Sequence, residues 1–413
     1  MATPDRITAV REPPAHFAAR LTASTARNAP PKAAPAIETG YLRNLGIQAY
    51  DADNLYPQNV RNIVLNSKTG ASCLERFRDY IEGRGVASEI LAGMQVNLSG
   101  ETLADLHALV SDDLATLDGY AIHVNYDVNA RIVSLHHIPF ENVRLKEPDE
   151  EGVVRQVALH PDWSGKLTRN GKPVKIDRST VDFIDVFNPD PEIVRAQMAE
   201  AGGPQFYKGQ VLYYSTAGYL RYPFAKYHAV LPDMSTDEGL SNIMNRNVRN
   251  NFLPAGAFVR LKGQTTAYTD ENGYEEADTY SDDLAAIQGD TNALKIMDIT
   301  VETKEEMPEF VNMQGNNYDK EFTATAAEVK DCIYSEFGQE GWLSLRNGKV
   351  GFSGTLIGDM ERDYARRQVK TQKALTQAYV RLLSYWSAPL PATADRETLR
   401  ILPIVDITST PTV

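Results

Sequence analysis

The sequence predicts an α+β fold, and three observations carry that prediction. Apolar residues recur at helical spacing over 103–117, and the period then switches to two over 120–138. In the second half, two helical stretches flank a Gly-rich interruption at Gly338–Gly354. At 413 residues the chain is long for one core, so two or three cores, or one core with projections, are expected.

In order, residues 1–40 hold six prolines and many alanines without a sustained period, which reads as an extended arm. Val60, Ile63 and Val64 form a short helix. Cys73, Leu74, Phe77, Tyr80 and Ile81 form a second, stopped by Gly83 and Gly85. Leu103, Leu106, Val110, Leu114 and Leu117 stripe a third, opened by Ser99 or Thr102. Tyr120, Ile122, Val124 and Tyr126 then alternate as a strand. A turn over Asp127–Ala130 returns the chain through Ile132–Ile138. Further strand candidates are 142–145, 153–159, 174–176, 181–187 and 210–214. Residues 41–228 therefore read as helices on a largely antiparallel sheet.

After Tyr222-Pro223-Phe224, Ser235 and Glu238 have capping-box spacing before a polar helix striped by Leu240, Ile243, Met244 and Val248. A β-α-β module follows, with strands near 257–261 and 294–299, a helix near 281–288 and a further strand at 310–313. Phe322, Ala326, Val329, Ile333 and Phe337 share one face of the next helix. Ile357, Met360, Tyr364, Leu375, Tyr379, Leu382 and Trp386 mark a long final helix. Its apolar seam calls for a partner surface, expected on a neighbouring copy. The last residues are Pro- and Thr-rich, with one apolar patch at 399–405.

Composition narrows the function. No apolar run approaches the roughly 20 residues that span a bilayer, and the N-terminal stretch lacks a secretory apolar core. Cys73 and Cys332 are the only cysteines, and both read as buried free thiols. The formal charge is −13, unlike proteins that grip nucleic acid through its phosphates. Much of the acidity is local: residues 270–309 carry thirteen carboxylates against Lys295 and Lys304, a net of −11. Glu275, Glu276, Asp278, Asp282 and Asp283 lie in this stretch, as a solvated or partner-facing acidic surface.

Motifs for catalysis fail in detail. Between Gly341 and Gly348 six residues intervene where a phosphate loop needs four, and Val350 follows Lys349 where a hydroxyl is required. In Asp270-Glu271-Asn272-Gly273 the glycine arrives too early for a calcium loop. His136 and His137 are adjacent on a strand and point to opposite faces. No nucleophile elbow or His-Glu-x-x-His helix occurs. The expectation is therefore a non-enzyme without metal or cofactor. Arg346 and Lys349 are the only cations of the Gly-punctuated loop, suited either to a plain surface or to transient contact with a polyanion. Arg246 and Arg249, one turn apart, suit either a solvated face or a charge ring lining a channel.

The order of modules resembles that of tailed-bacteriophage portal proteins. Gly119-Tyr120-Ala121-Ile122 and Ile138-Pro139-Phe140-Glu141-Asn142-Val143-Arg144 are similar to that family's wing motifs. Asn250-Asn251-Phe252 is similar to the close of its first stem helix, with Phe252 where the family has glycine. Asp319-Lys320-Glu321-Phe322 through Ile333-Tyr334-Ser335-Glu336-Phe337-Gly338 resembles its second stem helix. The resemblance spans roughly residues 54–386. It implies a wing (41–228), stem helices (229–252 and 314–337), a clip (253–313), a tunnel loop (338–356) and a wing helix (357–387). The 388–413 tail leaves a crown short or absent.

It further implies a ring, typically of twelve copies, at one capsid vertex, assembled in the host cytoplasm. Double-stranded DNA would pass through its channel, with terminase, the major capsid protein and a tail adaptor as partners. Arg346 and Lys349 would face DNA. Another head–tail connector or scaffold component, or a nucleic-acid-processing enzyme of a mobile element, would be the alternatives.

Overall fold

A computed structural model of the chain describes residues 40–169, 172–249, 256–261, 296–301, 318–348 and 354–407. It is a mixed α+β protein with, among the described residues, ten strands and ten α-helices. The chain divides into two compact units, Met1–Tyr56 with Asn142–Ile184, and Pro57–Glu141 with Asp185–Val413. The 41–228 stretch contributes to both.

In the first unit, α1 (Gly40–Leu45) precedes β3 (Val143–Leu145), β4 (Gln156–Leu159) and a small hairpin, β5 (Thr168–Arg169) with β6 (Lys172–Pro173). The 174–176 strand expectation is corrected: the strand is Lys172–Pro173 of that hairpin, and Val174 N adds a single further bond to the Leu167 carbonyl at 2.8 Å. Leu42, Leu45, Ile47, Ala158, Trp163 and Val181 form the core. Arg144 is fully buried beside it. A buried cation is costly unless its donors are satisfied. Its Nε donates to Asn54 Oδ1 at 2.7 Å and Nη2 to the Asn54 carbonyl at 2.6 Å. The Tyr50 and Trp163 rings lie 5.5 and 5.3 Å from the guanidinium.

The second unit is built on α2 (Tyr56–Asn66), α3 (Lys68–Glu82) and α5 (Leu103–Leu117), with a single turn α4 (Glu89–Ala92) between the last two. Thr102, one of the two expected caps, opens α5: its hydroxyl accepts from Asp105 N while the Asp105 carboxylate accepts from Thr102 N. This reciprocal pairing satisfies donors the helix leaves open. Strand β1 (Gly119–Tyr126) pairs antiparallel with β2 (Ile132–Ile138) and with β8 (Gln210–Ser215). Strand β7 (Asp182–Val186) meets β8 in parallel, so the sheet is mixed. Within this unit the strand order is β2-β1-β8-β7. Between β7 and β8 lies α6 (Pro191–Glu200), with Asp190 as its cap.

The later helices are α7 (Leu231–Arg249), α8 (Tyr318–Glu336), α9 (Glu340–Arg346) and α10 (Gly354–Leu383). Between α7 and α8, β9 (Gly256–Leu261) and β10 (Ile296–Val301) pair in parallel, Gly256 opposite Ile296. Adjacent parallel strands need a crossover connection. The helix expected at 281–288 and the strand at 310–313 lie outside the described residues. No described helix is long and apolar enough to cross a membrane.

The expectation for the long helix is corrected. Tyr364, Leu375, Tyr379 and Leu382 of α10 are buried within their own chain. Gln372 Nε2 donates to the Tyr80 and Ile81 carbonyls at the end of α3, at 3.0 and 3.3 Å. Tyr379 Oη bonds His107 Nδ1 at 3.0 Å. The apolar patch at 399–405 closes this core. Residues 398–402 run as a strap along 84–88, with Arg84 N donating to Leu402 O at 2.8 Å and Ala87 N to Arg400 O at 2.8 Å. The strap's own Leu399 and Ile401 are buried. A second correction concerns Cys332. Cys73 is buried but Cys332 is exposed, because Ile333 and Val329 define the inward face and Cys332 lies about 100° around the helix from Ile333.

Asp118, the left-handed residue ending α5, gives a pH prediction. Burial pushes its carboxyl from an ordinary 3.8 up to about 6, against the Lys226 charge and a hydrogen bond from Thr216. The native state thus keeps a proton that the unfolded chain releases, and the associated stability is lost as pH rises through about 6. Asp118→Asn tolerates the same backbone and cannot ionise. Relative to wild type it is expected to be near neutral at pH 4. Above pH 7 it should be more stable by roughly 2–3 kcal/mol, since each tenfold change in proton affinity is worth about 1.4 kcal/mol. Urea unfolding at the two pH values checks this, and a pH-independent difference rules it out.

Candidate functional site: a helix pair and its root

Helices α7 and α8 pack against each other and are rooted at one end. Tyr227, just before α7, stacks on Phe337, just after α8, with ring centroids 4.9 Å apart. The start of one helix thus meets the end of the other, so the two run antiparallel. At 1.5 Å per residue, nineteen residues extend about 28 Å. Burial follows the same polarity. Met234, Asp237 and Leu240 of α7 are buried, whereas Ile243 and Met244 are 41% and 58% exposed. In α8, residues 323–328 are largely exposed and Val329, Ile333 and Tyr334 are buried.

The Ser235–Glu238 capping box is corrected. A 3₁₀ turn at His228–Val230 runs directly into α7, which leaves Ser235 inside the helix. The buried carboxylate of Asp237 instead serves another helix. Its Oδ2 accepts from Ser67 Oγ at 2.9 Å and Thr69 N at 3.0 Å, at the open N-terminus of α3. Negative charge is favoured there by the helix dipole. Phe77 of α3 meets Phe337 edge-on at 6.0 Å, and Lys226 Nζ sits 5.0 Å from the Phe77 ring centre.

Where α8 ends, Gly338 turns the chain at φ +66° and delivers Gln339 into the interior. Gln339 is completely buried. Its Nε2 donates to the Cys73 carbonyl and the Tyr364 hydroxyl, both at 2.9 Å, and its Oε1 accepts from Arg76 Nη1 at 2.7 Å. Trp342 of α9 then lies edge-on to Tyr80 and Tyr364, at 6.2 and 5.1 Å, with the Arg76 guanidinium 5.1 Å from its ring centre. The Cys73 thiol beneath is pushed up to about 12 by burial, so it is unreactive near neutral pH.

Of the sequence-derived site residues, Arg346 is exposed at the last position of α9. The stretch expected as a loop is therefore helical over 340–346. Gly341 lies within that helix and packs against Met360 of α10, so closely that a Cβ would meet the thioether. Arg246 and Arg249 lie in the last two turns of α7, and their side chains are outside the described residues. Lys349, Glu275, Glu276, Asp278, Asp282 and Asp283 are outside them altogether. His137 Nε2 bonds the buried Asp113 carboxylate at 2.7 Å, and Arg61 bridges Asp113 and Glu141. This cluster ties α2 and α5 to β2 and the turn that follows it. Sequence reasoning passed over Asp237, Gln339 and Trp342. Asp237 lay inside the misplaced cap, and nothing local marks a glutamine as a buried hub.

No family model matches the chain, and no curated protein matches it. Among solved structures, similarity is found to a chain in the neck of an empty gene transfer agent (GTA) particle computed with C6 symmetry. The TM-score is 0.42 at 12% identity, covering 86% of this chain and 84% of that one. A chain in the neck of the native GTA particle computed with C12 symmetry gives 0.40 at 10% identity, covering 84% and 86%. One in the virion of the native gene transfer agent particle gives 0.38 at 12%, covering 77% and 78%. Resemblances this loose assign neither family nor function.

Proposed function

We propose that the chain is a non-enzymatic structural protein of a phage-like particle, a portal whose copies close into a ring around a DNA channel. The observation that carries this reading is the antiparallel α7–α8 pair. It is rooted in an α+β body and bears between its helices an insert whose β9 and β10 pair in parallel. This is the module order the sequence resemblance implies. The exposed outer parts of both helices, including Ile243 and Met244, offer area for a head-to-tail contact between copies. Such contacts close into rings when the rotation permits.

A −13 chain with an acidic insert repels duplex DNA and so keeps a moving duplex from sticking. Twelve copies, a place at the capsid vertex, and docking of terminase, capsid protein and tail adaptor belong to this reading. The purified full chain is expected to form a discrete annular particle of roughly half a megadalton, by light scattering and negative-stain imaging. A monodisperse monomer or dimer at micromolar concentration would overturn the ring. Within the assembled particle, replacing Arg346 and Lys349 by Ala should leave the ring intact and change the amount of DNA packaged or retained. An unchanged packaged-genome length would refute a DNA-facing role for these two cations.

A further inference from the structure

We infer that the hollow beside the C-terminal strap is a docking site for an acidic segment of another protein that carries apolar side chains. The hollow measures about 410 Å³ and lies between α10, the turn after α3 and the strap. Its apolar lining includes Val369, Val405 and Ile407, and three cations, Arg84, Lys373 and Arg400, border it. All three are exposed. Arg84 Nε donates to the Pro403 carbonyl at 3.0 Å. None of the three forms an ion pair among the described residues. Asp406 is the single acid on the lining, so three cations against one acid leave a local charge of +2.

That island stands out in a chain of net charge −13. Exposed cations around an apolar hollow complement a ligand with carboxylates at its edge and hydrocarbon at its centre. A nucleic acid backbone would satisfy the cations but offers nothing to fill the hollow, so a peptide segment is the better fit. The inference is independent of whether copies of the chain form a ring.

The test is selection of displayed random twelve-residue peptides on the immobilised full chain at physiological salt, with enriched sequences then measured by fluorescence anisotropy. Enriched peptides are expected to interleave carboxylates with leucine, isoleucine or phenylalanine. The double substitution Lys373→Glu with Arg400→Glu, at exposed positions, should weaken them at least tenfold, and so should Val405→Asp. Arg195→Glu, a charge reversal at an exposed position of α6, should leave them unchanged. Thermal unfolding of each variant verifies that it is folded. The inference is overturned by no enrichment, by enrichment without excess acids, or by binding that survives the double substitution. Displacement of the peptides by a 20-base-pair duplex at micromolar concentration would overturn it too, since the site would then be a phosphate site.

Discussion

Gly83→Ala is expected to be among the most damaging single substitutions in the chain, lowering stability by roughly 3–5 kcal/mol out of a typical total of 5–15. Two effects add. Gly83 ends α3 at φ 66°, ψ −142°, a region essentially closed to residues with a Cβ, where strain of about 1–3 kcal/mol is typical. The added methyl would also run into the Leu402 carbonyl oxygen, which accepts from Arg84 N. Relieving that clash pushes the strap outward and lifts Leu399 and Ile401, both at most 2% exposed. Losing the burial of even one such side chain costs about 1.5–3 kcal/mol. Gly85 is the control: it too has positive φ, +81°, but open space where a Cβ would stand, so Gly85→Ala should cost only about 1 kcal/mol. Urea unfolding supplies the stabilities, and limited proteolysis after Asp395 reports the strap. Equal losses for the two variants would show that the strap contact adds nothing.

Gln339→Leu is the second large effect, expected at about 2–4 kcal/mol. The substitution keeps volume and burial but strips three bonds from one buried point. The Cys73 carbonyl and the Tyr364 hydroxyl each lose a donor, and the Arg76 guanidinium loses an acceptor. Each buried polar group left unsatisfied costs about 1–3 kcal/mol. Arg76 retains the Trp342 ring, which limits the loss. The damage should be local as well as global. Amides of 340–346 should exchange faster in Gln339→Leu, because α9 has no buried residue of its own and depends on this corner. Hydrogen exchange resolved along the chain checks it. Unaltered protection of α9 with a merely lower global stability would place the anchor of that helix elsewhere.

Elements with a strong single period were legible from the residues alone. The stripe from Leu103 to Leu117, the alternation through β1 and β2, and the Val329–Ile333–Phe337 face all lie where the pattern puts them. Helix α6 was missed although Asp190 and Pro191 mark its start, because only Val194 and Met198 turn inward. Arg144 shows the limit of composition: an arginine on a short strand reads as exposed, yet two aromatic rings and an asparagine brought from distant positions make its burial tolerable.

Periodicity, capping residues and charge by themselves determined most of the helices and strands, where the carboxylates cluster, and which catalytic motifs fail. These depend on neighbours a few residues apart, and such contacts are written in the order of the chain. Only the tertiary structure decided that the seam of α10 is satisfied by its own chain, that the tail returns as a strap, and that Gln339 is a buried junction. Each of those results depends on groups tens to hundreds of residues apart that come to share one desolvated space. Burial and hydrogen-bond satisfaction belong to that space and to no single stretch of sequence.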